Sequence, residues 1–192
     1  MIDPLHIRDS IFDFDGVIAD TNKYKKKALE AGFLHASPKA NKKNLELFLN
    51  YHSKNPTLNA RKLINDWHKS MYGYDNERLN IIVQKFRTKF RSICLKNITH
   101  AKWISGVEYL MENLKLSGKK IFIVTAGDIE YPINFLVSYK KAYLVDGIIG
   151  GEGTKYQKTV SLLKNLKNPI FYGDTWGDYL TASKLKLSFI GI

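Results

Sequence analysis

Two aspartates, Asp13 and Asp15, interrupt an apolar run in the stretch FDFDGVIADT, Phe12 to Thr21. Gathering two carboxylates at the end of a buried strand is costly unless a cation shares the site. Three further apolar runs lead into polar clusters. KIFIVTAG ends in Thr125, Ala126 and Gly127, with Asp128 next. LVDGIIGG is followed by Lys155 and Lys158 at the start of a helical pattern. PIFYGD opens the sequence GDTWGD, which carries Asp174 and Asp178. Carboxylates, a hydroxyl and a lysine are the parts that move a phosphoryl group. A hard cation such as Mg²⁺ takes oxygen ligands, here from Asp13, Asp15 and Asp174, together with substrate phosphate. One aspartate can then attack phosphorus and carry an aspartyl-phosphate while its neighbour two residues away serves as acid and base. Thr125 and nearby backbone N–H groups, at Gly16, Ala126 and Gly127, can hold phosphoryl oxygens, and a lysine can neutralise the charge that spreads in the transition state.

These groups meet only if the apolar runs lie side by side. SIFDFD, KIFIVTAG, LVDGIIGG, PIFYGD and LSFIGI read as buried parallel strands, near-continuous in apolar residues. Helical patterns lie between them: Val107, Leu110, Met111 and Leu114, then Ile133 to Tyr139, then Val160, Leu163 and Leu166. Alternating strands and helices predict an α/β fold with a parallel sheet, and such sheets bind ligands at the carboxyl ends of their strands. Thr154 is placed to cap the helix after the third strand, with Lys155 at its mouth. That favours Lys155 over Lys158 as the cation of the site, and both stay candidates. Asp128 reads as a cap for the following helix.

The chain has 192 residues, 44% of them hydrophobic and 25% charged, and a net charge of +12. The excess is confined. Thr21 to His100 holds 17 Lys and Arg against 5 Asp and Glu, and the remainder holds equal numbers of each sign. This segment reads as all-helical (NKYKKKALEAGF, NKKNLELFLNYH, ARKLINDWHKSMYG, NERLNIIVQKFRTKFRSICL), with joints at HASP and SKNPT. The expected organisation is a core of residues 1–20 and 102–192 with a basic helical insertion at 21–101, linked at Ala19–Asn22 and Trp103–Gly106. Such a surface is either a solvated lysine-rich face or an attractor of anions. Arg87 and Arg91, four apart, can clamp a second anionic group or lie exposed. His35, His52, His68 and His100 lack metal-ligand spacing. The single cysteine, Cys94, excludes an internal disulfide. No apolar stretch is long enough for a membrane span, and MIDPLHIRDS lacks the pattern of a signal peptide, so a cytoplasmic protein is expected.

DFDGVIADT, IFIVTAG, a lysine before a helix, and GDTWGD together resemble the four ordered motifs of the haloacid dehalogenase superfamily. The segment WISGVEYLMENLKLSGKKIFIVTAG is similar to that family's helix leading into its second motif. The resemblance implies a Rossmann-like sheet in the order 5-4-1-2-3. It also implies that Asp13 is nucleophile and metal ligand, and that Asp15 is acid/base and a metal ligand through its carbonyl. By the same resemblance Thr125 binds phosphoryl, Asp174 binds metal, and Asp178 assists the metal or orients the lysine. Helices inserted just after the first motif resemble the C1 cap of phosphoglycolate phosphatase-like and β-phosphoglucomutase-like members, a cap that sets substrate choice. DTNKYKKKAL is similar to the start of such caps, with Asn22, Lys23 or Lys25 near the opening. The function implied is a Mg²⁺-dependent phosphatase of a small phosphate monoester. Alternatives are a phosphomutase, a phosphonatase, a nucleotide or polynucleotide-end phosphatase, and a nucleic-acid-binding protein that uses the basic segment.

Overall fold

In the computed structural model, which describes residues 8–55 and 58–192, five short strands lie parallel: β1 (Ser10–Phe12), β2 (Ile121–Val124), β3 (Gly147–Ile149), β4 (Ile170–Gly173) and β5 (Ser188–Gly191). Their order is β3-β2-β1-β4-β5, the expected order read from the opposite edge. Phe12 is in register with Ile123 on one side and Tyr172 on the other. The chain therefore leaves the central strands at one level, just past Phe12, Val124 and Gly173. The ladder reaches one residue further at the centre, where Asp13 N–H donates to the Tyr172 carbonyl at 2.9 Å. That bond fixes the backbone of the aspartate from which the site is built.

Eight α-helices accompany the strands among the described residues: α1 (Asn22–Ala36), α2 (Lys42–Lys54), α3 (Ala60–Tyr72), α4 (Asn76–Ile98), α5 (Val107–Leu116), α6 (Glu130–Ser138), α7 (Lys155–Leu163) and α8 (Trp176–Lys184). The chain divides into two compact units, Met1–Asn22 with Ile98–Ile192, and Lys23–Asn97. Residues 1–7 of the expected core segment, and Pro56 and Thr57 of the joint SKNPT, lie outside the described residues. The joint HASP is shorter than its composition suggests, because α1 continues through His35 and Ala36. The passage back into the sheet unit falls at Asn97–Ile98, ahead of Trp103–Gly106. Trp103 is already tied to the sheet unit by an antiparallel bridge to Ala19, flanked by Asp20 N–H to the Lys102 carbonyl at 2.8 Å.

In the sheet unit, Ile11, Val124, Phe171, Leu162 of α7 and Ala182 of α8 form one buried cluster. The phase of α7 differs from the expected face. Val160 is 44% exposed, and the helix turns Lys158, Thr159 and Leu162 inward. Thr154 and Gln157 form a reciprocal capping box at the helix start, and on the inward side Leu162 packs in the sheet cluster while Lys158 reaches strand-end carbonyls. At the opposite edge of the sheet, the Asp9 carboxylate accepts from Lys120 N at 3.0 Å and from Lys167 N at 2.7 Å, joining the approaches to β2 and β4.

The helical unit has its own core of Phe33, Phe48, Leu63, Ile64, Trp67 and Phe86. Phe33 stacks on Phe48 at 4.7 Å and meets the Trp67 ring edge-on at 5.1 Å. Asn41 and Asn59 cap α2 and α3, and Gly73 ends α3 in the left-handed conformation, φ 61°. His68 is buried here between the Ile64 carbonyl (2.9 Å) and the Ser37 hydroxyl (3.0 Å), and burial lowers its pKa. That is a structural histidine. Among the described residues no helix is long and apolar enough to cross a membrane.

Candidate active site

The end of β1 supplies Asp13, which is 4% exposed. Its Oδ2 is 2.8 Å from Lys155 Nζ, and the same ammonium donates to Asp178 Oδ1 at 2.5 Å. Two helix starts bring these partners in. Thr154 accepts from Gln157 N, which leaves Lys155 as the first residue of α7. Thr175 accepts from Asp178 N at 3.2 Å, and Asp178 Oδ2 accepts in return from Thr175 N (3.2 Å) and Thr175 Oγ1 (2.5 Å). Asp178 is thus both an N-terminal helix residue, where the macrodipole favours negative charge, and the second anchor of Lys155. It is fully buried.

Asp13, Asp174 and Asp178 each offer a carboxylate oxygen, and these oxygens lie within 4.8 Å of one another. Lys155 pairs with two of the three acids, Asp13 and Asp178, so the trio carries more negative charge than this lysine balances. Burial pushes the Asp13 carboxyl up to about 7, with Lys155 opposing the rise and Asp178 and Asp15 adding to it. Asp174 is raised as well, by burial and by Asp178, against Lys155. An oxygen-only donor set of this kind suits a hard divalent cation, which would offset the repulsion. Gly16 reinforces the fit. Its φ is +78°, and a Cβ there would fall 2.2 Å from Asp174 Oδ2, so a side chain at 16 would displace the Asp174 carboxylate.

Asp15 does not join the trio; its Oδ1 accepts from the buried Thr21 hydroxyl at 2.8 Å. Thr125 is 1% exposed, and its Oγ1 accepts from Gly127 N at 2.9 Å, which leaves the hydroxyl hydrogen to donate. Ala126 is exposed between them. Lys158 is 5% exposed and donates to the carbonyls of Thr125 (3.0 Å) and Gly151 (2.8 Å), whereas Lys155 meets the carboxylates. Asp128 Oδ1 accepts from Glu130 N at 3.2 Å, at the start of α6. Lys23 and Lys25 lie in the first turn of α1, in the helical unit, and Arg87 and Arg91 are exposed on α4.

Thr21 and Thr175 were not singled out by sequence reasoning. For Thr175 a signal exists: Thr-x-x-Asp at the start of a helix is a capping pattern. Nothing local distinguishes Thr21.

A family model described as haloacid dehalogenase-like hydrolase matches residues 10–192. No curated protein matches the chain. Among solved structures, a protein described as a predicted phosphoglycolate phosphatase from Haemophilus somnus superimposes with a TM-score of 0.72 at 17% identity, covering 97% of this chain and 86% of that one. A predicted phosphatase from Clostridium acetobutylicum gives a TM-score of 0.69 at 22% identity, covering 96% and 84%. A provisionally assigned β-phosphoglucomutase from Thermotoga maritima gives 0.63 at 15% identity, covering 95% and 84%. At these identities the likeness is one of fold.

Proposed function

The chain belongs to the haloacid dehalogenase-like hydrolase family, and from that premise we propose that it is a Mg²⁺-dependent phosphatase of a small phosphate monoester. The observation that carries this reading is the buried Asp13 held by Lys155 beside Asp174 and Asp178, at the carboxyl edge of the sheet. Asp13, Asp174 and the backbone carbonyl of Asp15 would hold the cation, with Asp178 behind them anchoring Lys155. When bound there, Mg²⁺ supplies positive charge that offsets the acidic trio and the phosphoryl oxygens.

The chemistry of the side chains then follows. The Asp13 carboxylate attacks phosphorus, and the bond to the ester oxygen breaks. Asp15 gives its proton to the departing alkoxide, so the alcohol leaves neutral. Lys155 balances the negative charge spread over the phosphoryl oxygens, and Thr125 donates to one of them. In the second half Asp15 takes a proton from the incoming water, which attacks phosphorus. The bond between Asp13 and phosphorus breaks, inorganic phosphate leaves, and both aspartates return to their first state. The helical unit, with Lys23 and Lys25 in the first turn of α1, would set substrate choice.

The direct test is a screen of phosphorylated metabolites, nucleotides and a generic aryl phosphate, with Mg²⁺ and again with excess chelator. Hydrolysis of at least the aryl ester that disappears in chelator is expected. No turnover of any ester, or turnover indifferent to chelation, sinks the proposal. A second variant probes the metal geometry. Gly16→Ala forces Asp174 away and strains a left-handed residue, so the Mg²⁺ concentration for half-maximal rate should rise about 10- to 100-fold. A Mg²⁺ titration of the rate reads this out, and an unchanged midpoint would remove Asp174 from the metal site.

A further inference from the structure

We propose that Lys158 is a positioning residue for phosphoryl binding: by holding the Thr125 carbonyl it aims the Ala126 N–H at the phosphoryl group. The inference rests on the phosphatase reading. Its basis is the use this buried lysine makes of its protons. Lysine is almost never fully buried unless paired, yet Lys158, 5% exposed, donates to two backbone carbonyls, those of Thr125 at 3.0 Å and Gly151 at 2.8 Å. Asp13 is already matched by Lys155. Burial and the neighbouring Lys155 make the protonated form of Lys158 harder to keep, and Asp13 opposes them. An amine kept in so unfavourable a place, away from the carboxylates, points to a geometric task.

The task follows from the peptide bond. The group joining Thr125 to Ala126 is planar and trans, so its C=O and N–H point in opposite directions. Drawing the carbonyl inward turns the Ala126 N–H outward, while the Thr125 hydroxyl oxygen of the same loop is already fixed by Gly127 N–H. Other contacts lock the same loop. Thr125 N–H donates to Ile149 O, and Gly151 N–H donates to Gly127 O, both at 2.9 Å. Gly150 packs so close that a Cβ there would lie 2.8 Å from Gly127 O. Lys158 pins residues 125–127 to 149–151 from below, and the Thr125 peptide is its point of attachment.

Lys158→Met removes the donors at similar length, and Lys158→Gln restores a shorter, uncharged donor. The measurements are kcat and KM on an aryl phosphate, tungstate affinity by calorimetry, and thermal melting of each variant. A donor that grips phosphoryl oxygens equally in ground and transition states changes mainly KM. Lys158→Met should therefore raise KM and weaken tungstate about 10- to 100-fold, with kcat moving less. Lys158→Gln should recover part of both. Tungstate affinity within twofold of wild type in Lys158→Met overturns the proposal. So does an equal loss in Met and Gln variants that tracks a fall in melting temperature, which would mark Lys158 as packing only. Wild type that binds no tungstate also overturns it. Wild type that binds tungstate but hydrolyses no ester overturns the phosphatase reading alone, and the variant affinities still decide the role of Lys158.

Discussion

Asp13→Asn should lower turnover of phosphate esters by at least about 10⁴-fold and leave the protein folded. The amide keeps the shape of the carboxylate but has no nucleophilic oxygen, so no aspartyl-phosphate forms. Its carbonyl oxygen can still accept from Lys155, and the backbone bond from Asp13 N–H to Tyr172 does not depend on the side chain. Stability makes the prediction sharper. The Asp13 carboxyl is pushed from an ordinary 3.8 up to about 7 in the folded state. Between those values the folded protein holds a proton that the unfolded chain has released. Wild type therefore loses stability relative to the Asn variant as pH rises from about 4 to 7 in the absence of divalent cation. Thermal melts of both proteins in chelator across that range, beside rate assays with Mg²⁺, test the two halves separately. A variant that retains more than a hundredth of wild-type turnover would show that Asp13 is not the nucleophile. A stability difference that does not change with pH would show that its carboxylate is not strained by burial.

The strands were legible because a buried parallel sheet writes itself as apolar runs, and SIFDFD, KIFIVTAG and PIFYGD leave little else to read. The strand order is what the resemblance implies, and the observed order β3-β2-β1-β4-β5 agrees with it. Less legible was anything decided by a rotation of one residue. Val160 and Thr159 are adjacent, and which of them faces the sheet is settled by packing, with Leu162 in the cluster of Ile11, Val124 and Phe171. The two lysines posed the same problem. Lys155 and Lys158 are a turn apart at one helix start, and their partners lie far away in sequence, at Asp13 and Asp178 for one and at Thr125 and Gly151 for the other. Long-range pairs of this kind have no local signature. Thr21 is a third case, since its bond to Asp15 depends on how the chain bends through Gly16 to Ala19, not on composition.

Lys155→Met should be the most damaging change outside the nucleophile, because one ammonium serves two buried acids. Lys155 sits 2.8 Å from Asp13 and 2.5 Å from Asp178, with its side chain 16% exposed. Removing one partner of a buried pair leaves uncompensated charge and destabilises by about 3–5 kcal/mol. Part of that loss is avoided, because Asp13, already inclined to hold a proton, can neutralise itself. That escape is itself harmful to catalysis, since a protonated Asp13 cannot attack phosphorus. Loss of the cation over the phosphoryl oxygens adds about 10²- to 10³-fold to the penalty on kcat. The two effects respond differently to Mg²⁺. A divalent cation among Asp13, Asp174 and Asp178 replaces the missing positive charge, so melting temperature should recover substantially as Mg²⁺ is raised. Turnover should not recover, because the lysine's place beside the transferred group stays empty of donors. Melting and rate titrations on one preparation separate these outcomes. Parallel recovery of both would reduce Lys155 to a charge balance for the fold, and kcat within threefold of wild type would remove it from the reaction.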